Sequence, residues 1–213
     1  MQDALIFDFD GTIADTFTPA TNILAKDFSK WGDRFRKTQT IQDLRSMNIT
    51  EIVQTIPGGW WKFTYLLLKA KKKIKKMMKQ GEIEPYPGII YTLRTLHDQG
   101  HQMFIVTSNE KNVVENFLRH YNLDDIFTTI ASSSLFNKGK VIAKVCQKYN
   151  LSTKNTFYIG DEIRDILASR QANLPIISVT YGYNSEEGLK RYRPQELVKK
   201  PTQLLKIFKN EGC

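Results

Sequence analysis

Cysteine is nearly absent from this chain of 213 residues: Cys146 falls within a helical pattern and Cys213 stands at the C-terminal end. Two cysteines so placed make no disulfide framework, and a reducing, cytoplasmic setting is expected. Histidine is also scarce. His97, His101 and His120 have no company of other metal-binding side chains, so they read as surface or supporting residues and not as a zinc centre. No apolar run is long enough to cross a bilayer, and no basic leader with an apolar stretch precedes the first expected strand. Internal repeats and low-complexity linkers are missing apart from one lysine-rich run. Acidic residues are in deficit, 22 against 31 Lys and Arg, and the formal charge of +9 needs an explanation. A charged fraction of 25% and an aromatic fraction of 11% do not suggest disorder, and the length suits one core domain with a small insertion.

Much of the positive excess sits at Lys62, Lys69, Lys71, Lys72, Lys73, Lys75, Lys76 and Lys79. Phe63, Leu67, Ala70, Ile74, Met77 and Met78 interleave with them at helical spacing, which predicts a basic amphipathic helix. Such a helix could draw in an anionic substrate, touch an anionic membrane surface or bind nucleic acid. No recognised nucleic-acid module accompanies it. The favoured reading is a solvated lysine face on a helix that packs by its apolar stripe.

What the chain does contain is a set of short apolar runs that end in reactive side chains. Leu5-Ile6-Phe7 leads into Asp8-Phe9-Asp10-Gly11-Thr12, the pattern of a buried strand delivering two carboxylates into a glycine turn. Two aspartates one residue apart with no cation beside them repel each other, and a divalent cation would relieve them. Strands are predicted near 3–9, 102–107, 127–131, 156–160 and 175–179, with helices near 88–99, 110–121, 139–149 and 163–171. This alternation indicates a parallel sheet with helices on both faces. The 16–84 stretch breaks the alternation and reads as helical over 20–30, 41–47, 50–55 and the basic run after Pro57-Gly58-Gly59; a last helix is expected over 201–208. In parallel sheets the crevice at the strand carboxyl ends collects functional groups, so Asp8, Thr107 and Asp161 should converge.

The run Asp8-Phe9-Asp10-Gly11-Thr12 resembles the first motif of the haloacid dehalogenase superfamily, whose commonest members are phosphatases. Further matches come in order along the chain: Gln102–Asn109 as a strand ending in a hydroxyl, a lysine at 138 or 140 opening a helix, and the Gly160-Asp161-x-x-x-Asp165 acidic motif. The helical insertion and Tyr86-Pro87-Gly88 resemble the phosphoglycolate phosphatase-like branch. The resemblance implies an α/β fold, a Rossmann-like doubly wound parallel sheet formed by 1–15 and 85–213, with an α-helical cap inserted over 16–84. It implies a Mg²⁺-dependent hydrolase of a small phosphomonoester, phosphoglycolate being the leading example, that works through an aspartyl-phosphate.

By the same resemblance Asp8 is nucleophile and metal ligand. Asp10 is general acid and base and lends the metal its carbonyl, and Asp161 completes the protein ligands, with Glu162 a weaker candidate. Thr107, Ser108 and Asn109 bind phosphate, although Asn109 also suits a helix N-cap. Lys138 is preferred to Lys140 as the charge-neutralising lysine because it comes just before the helix. Asp165 would orient that lysine or accept from a metal-bound water, or serve as an ordinary first-turn carboxylate. Thr12 is expected to hold the nucleophile loop by bonding its backbone. Arg45 and Lys62 are candidates for contacting a substrate carboxylate or second phosphate. A sugar-phosphate mutase of the same fold, or a binding protein using the basic helix on nucleic acid or anionic lipid, are the alternatives.

Overall fold

The computed structural model describes residues 2–28, 41–134 and 137–209; the last two residues of the helix expected over 20–30 lie outside them. Six strands form one parallel sheet: β1 (Ala4–Phe7), β2 (Gln102–Thr107), β3 (Thr129–Ser132), β4 (Thr156–Gly160), β5 (Ile176–Val179) and β6 (Glu196–Val198), in the order β3-β2-β1-β4-β5-β6. The near-continuous apolar runs are explained by burial on both faces. Leu5, Phe7, Met103, Ile105, Ile159 and Ile177 point into one layer, and Ala4, Ile6, Phe104, Val106, Tyr158 and Ile176 into the other. Alternate side chains of a strand must face opposite ways, so each run feeds two cores at once. The architecture is α/β and doubly wound, as expected.

The helices are α1 (Phe17–Phe28), α2 (Ile41–Arg45), α3 (Ile49–Thr55), α4 (Gly59–Lys79), α5 (Ile89–Asp98), α6 (Lys111–His120), α7 (Lys138–Lys148), α8 (Ile163–Gln171), α9 (Glu186–Arg191) and α10 (Leu204–Ile207). In the basic helix α4, Leu66, Ala70, Ile74 and Met78 are buried at four-residue spacing while Lys69, Lys72, Lys73 and Lys76 remain exposed. Ala20, Ile23, Ala70, Ile74 and Met78 join the same apolar cluster as Leu5, Phe7 and Phe9. No strand lies between β1 and α5 among the described residues. None of the described helices is long and apolar enough to span a membrane.

Four elements differ from expectation. β1 stops at Phe7 and not at residue 9, because the chain already turns through Gly11 to reach Ala14. β6 and α9 carry no clear signal in the sequence: Glu196–Val198 is a three-residue edge strand, too short to alternate visibly. The C-terminal helix is split into a 3₁₀ turn over Pro201–Gln203 and the single turn α10.

Candidate active site

The strand order reverses between β1 and β4, and there the carboxyl ends of neighbouring strands open a crevice. Asp8 comes directly after β1, its N–H donating to the Ile159 carbonyl of β4 at 2.8 Å. It is 1% exposed. Its Oδ1 accepts the Phe9 N–H at 2.8 Å. Its Oδ2 stands 2.7 Å from Lys138 Nζ, an ion-pair distance without hydrogen-bond alignment, so this buried oxygen accepts no hydrogen bond.

Lys138 is the first residue of α7 and is buried. Its ammonium also donates to Asp165 Oδ1 at 2.7 Å, and Asp165 Oδ2 accepts the Glu162 N–H at 3.0 Å. Below it lies the Tyr158 ring, 5.7 Å away, whose hydroxyl donates to the Val106 carbonyl at 3.1 Å. Lys140, two positions on, is exposed. Asp165 is therefore a buried partner of the lysine and, through the Glu162 N–H, also the first-turn carboxylate that closes the start of α8.

Asp161 comes directly after β4 and is fully buried, with Oδ1 accepting from the Thr12 hydroxyl at 2.9 Å and Oδ2 from the Tyr183 N–H at 2.7 Å. Thr12 thus bonds a side chain across the crevice, not the backbone of its own loop. The loop after β5 closes so tightly that a Cβ on Gly182 would stand 2.3 Å from Asp161 Oδ2, and one on Gly11 2.2 Å from the same atom. Gly11 also has φ +80, so no other side chain fits there without strain. Sequence reasoning misses the Gly182-Tyr183-Asn184 loop. Its signal is present, since β5 is another apolar run ending near glycine.

Asp10 faces the crevice from the turn, partly covered, with Asn109 Nδ2 3.4 Å from both its carboxylate oxygens. Thr107 closes β2 and is buried, and its Oγ1 accepts the Asn109 N–H at 3.0 Å. Ser108 between them is half-buried. Asn109 is not the cap of α6, which begins after Glu110 with no side-chain cap. Arg45 is turned toward the rim: Nε donates to the Tyr183 carbonyl at 3.2 Å, Nη2 to that of Gly182 at 3.0 Å, and the guanidinium covers the Phe17 ring. Lys62 lies near the start of α4, its ammonium 5.7 Å from the Tyr65 ring.

Burial first, then repulsion from Asp165, lifts the Asp8 carboxyl to about 7 in spite of Lys138. Burial, Glu162, Asp165 and Asp8 raise Asp161 well above the carboxylate range. Burial would lower Lys138, but Asp165 and Asp8 outweigh it and hold the ammonium charged. One lysine cannot neutralise three buried carboxylates. Oxygens of Asp8, Asp161 and Asp165 come within 4.8 Å of one another, and a divalent cation fits this all-oxygen set with its orphaned Asp8 Oδ2.

This cluster carries a pH signature. Asp8 rises from 3.8 to about 7 on folding, so the metal-free folded state binds more protons than the unfolded chain between those values. Stability of the metal-free protein is therefore expected to fall as pH rises through that window. A bound cation takes the place of the protons. Thermal melts should show Mg²⁺ raising Tm more at about pH 8 than at about pH 5; equal shifts at both would contradict the site.

The family model for haloacid dehalogenase-like hydrolases matches residues 5–179. The phosphoglycolate phosphatase of Synechococcus elongatus is 26% identical over 205 residues, covering 96% of this chain and 96% of that protein. The pyrophosphatase PpaX of Halalkalibacterium halodurans is 26% identical over 129 residues, 59% of this chain and 60% of its own. Among solved structures, a haloacid dehalogenase-like family hydrolase from Streptococcus pneumoniae superposes with a TM-score of 0.74 at 20% identity, over 98% of this chain and 99% of that one. The matched span runs from within β1 to the end of β5 and takes in Asp8, Lys138, Asp161 and Asp165: this chain belongs to the haloacid dehalogenase-like hydrolases.

Proposed function

We propose that the chain is a Mg²⁺-dependent phosphatase that hydrolyses a small phosphomonoester, phosphoglycolate or a similar compound, through an aspartyl-phosphate on Asp8. The observation that carries this reading is Asp8 Oδ2, buried, free of hydrogen bonds and 2.7 Å from the Lys138 ammonium. Such an oxygen keeps a lone pair for attack on phosphorus, and splitting one displacement into two is what a covalent carboxylate offers. Asp8, Asp161 and the Asp10 carbonyl would hold the metal, which when bound supplies charge neutralisation for the phosphate.

The Lys138 ammonium, fixed by Asp165, neutralises charge as the phosphoryl group approaches Asp8. Thr107, Ser108 and the neighbouring N–H groups bind phosphate oxygens. Asp10, raised by burial although Arg164 and Lys71 oppose the shift, is suited to carry the proton given to the leaving oxygen. It then takes a proton from the water that attacks the phosphoenzyme. Asn109, 3.4 Å from the Asp10 carboxylate, orients it. A cytoplasmic site of action and a phosphorylated metabolite as the partner belong to the same reading.

Phosphate release from a panel of phosphomonoesters with Mg²⁺ tests it. Asp10→Asn should slow turnover of the phosphoenzyme by about 10²–10⁴-fold and leave the Mg²⁺-induced rise in Tm intact. Abolition of that rise would overturn the role given to Asp10. No turnover across a metal series, with salt-sensitive binding to RNA or anionic vesicles, would overturn the enzyme reading itself.

A further inference from the structure

Burial of the stripe Leu66, Ala70, Ile74 and Met78 accounts for one side of α4, but the other side is not simply a solvated lysine face. Trp61 is 90% exposed, Leu68 62% and Tyr65 58%. Trp61, Tyr65, Leu68, Lys72, Lys76 and Lys79 follow one another at steps of three or four residues, so they form one line along the helix. Its first half is aromatic and aliphatic, and its second half is cationic. Lys72, Lys76 and Lys79 are exposed like the side chains before them. Large apolar groups in open water forgo the gain of burial, and a row of them on one helix face marks a contact surface.

Charge says which kind of surface fits. From Gly59 to Lys79 no residue of α4 is acidic, while eight are lysines. A second copy of the chain would set lysines against lysines, with no carboxylate on the helix to receive them. Single-stranded nucleic acid would stack on the rings and pair with the lysines, but Leu68 stands between them and offers no ring. An outward helix ridge also has no groove in which to track a strand. An anionic lipid surface employs every member of the line. Leu68 reaches the acyl boundary, Trp61 and Tyr65 suit the headgroup level, and the lysines meet the phosphates.

We propose that the outer line of α4 docks the protein on an anionic phospholipid surface, with Trp61, Tyr65 and Leu68 inserted at headgroup depth beside Lys72, Lys76 and Lys79. The helix lies along the membrane plane and does not cross it. On the buried stripe Met78 Sδ is 3.7 Å from Asn109 Nδ2, and Asn109 in turn reaches Asp10. The crevice therefore lies on the inner side of α4, and docking by the outer line does not cover it with lipid. This surface does not depend on the phosphatase reading.

Cosedimentation of the full chain with vesicles tests it, using phosphatidylcholine alone and phosphatidylcholine mixed in equal parts with phosphatidylglycerol. Binding to the mixed vesicles should be stronger by at least about tenfold, since each lysine near an anionic surface contributes about fivefold. Trp61→Ser with Leu68→Ser should weaken it by about tenfold or more, through loss of the inserted side chains. Lys72→Gln with Lys76→Gln should weaken it as much. Lys144→Gln with Lys154→Gln removes equal charge from exposed positions outside α4 and should change it by less than about twofold. All these positions are exposed, so thermal melts of the variants should match the parent's. Equal losses for the two lysine pairs would mean that net charge alone binds, and would overturn the proposal. So would undiminished binding by the serine variant, tighter binding to polyuridylate than to the mixed vesicles, or a dimer in solution that the serine variant disperses. Phosphate release by the serine variant without vesicles should equal the parent's; its loss would give this face to the reaction and not to docking.

Discussion

Asp8→Asn is expected to lower phosphate release by at least about 10⁴-fold, since it removes the attacking oxygen and leaves an amide in its place. The same change should raise, not lower, the melting temperature of the metal-free protein at neutral pH. Burial already drives the Asp8 carboxyl up to about 7, which means that folding strains against its charge. An amide of the same shape carries none. Lys138 keeps its bond to Asp165, so the pocket is not left without an ion pair. A melt in chelator and a melt in Mg²⁺ together check the pair of expectations: the metal-free Tm goes up and the Mg²⁺-induced increment shrinks. A variant that lost activity together with metal-free stability would instead mark Asp8 as a framework residue.

Lys138→Met should have the largest effect on stability. It removes the ammonium 2.7 Å from both Asp8 and Asp165 and leaves two buried carboxylates facing each other. Breaking a buried pair from one side typically costs about 3–5 kcal/mol, because the remaining charge is neither solvated nor paired. The loss should deepen as pH rises, since the orphaned carboxylates can escape part of the cost only by holding protons. Adding Asp165→Asn to Lys138→Met should return part of the stability, as expected of two groups in one contact network. Lys140→Met changes an exposed residue and should stay within about 0.5 kcal/mol of the parent. Urea melts of the four proteins decide the matter; similar losses for the two lysine variants would show that α7 is sensitive to any change at its start.

Much of the site is legible in the sequence, for a physical reason. Buried parallel strands need long apolar runs, and the residue at the end of such a run is delivered to the sheet's carboxyl edge. Asp8, Thr107 and Asp161 can therefore be placed from their positions alone. Lys138 separates from Lys140 by standing at the very start of its helix, and the structure buries the first and exposes the second. Other features depend on distances that no spacing reveals. Thr12 reads as a residue bonding its own loop, but the turn aims its hydroxyl at Asp161, 149 positions away. Arg164 lies inside the recognised acidic motif, yet its two unpartnered nitrogens become visible only with the walls around them in place.

The bonds of Arg45 carry a consequence for how the crevice can open. Its side chain holds the carbonyls of Gly182 and Tyr183, while its own carbonyl accepts from Asn184 Nδ2 at 2.7 Å and from the Ser185 N–H at 2.8 Å. The Tyr183 N–H in turn holds Asp161 Oδ2. Moving α2 outward would therefore drag on the loop that fixes a candidate ligand, so the position of this seam and that of Asp161 are coupled. Thermodynamic reciprocity then ties the two ends of the chain of bonds together. Whatever free energy an intact seam adds to cation affinity at Asp161, an ion seated there returns in full to the closed position of the seam.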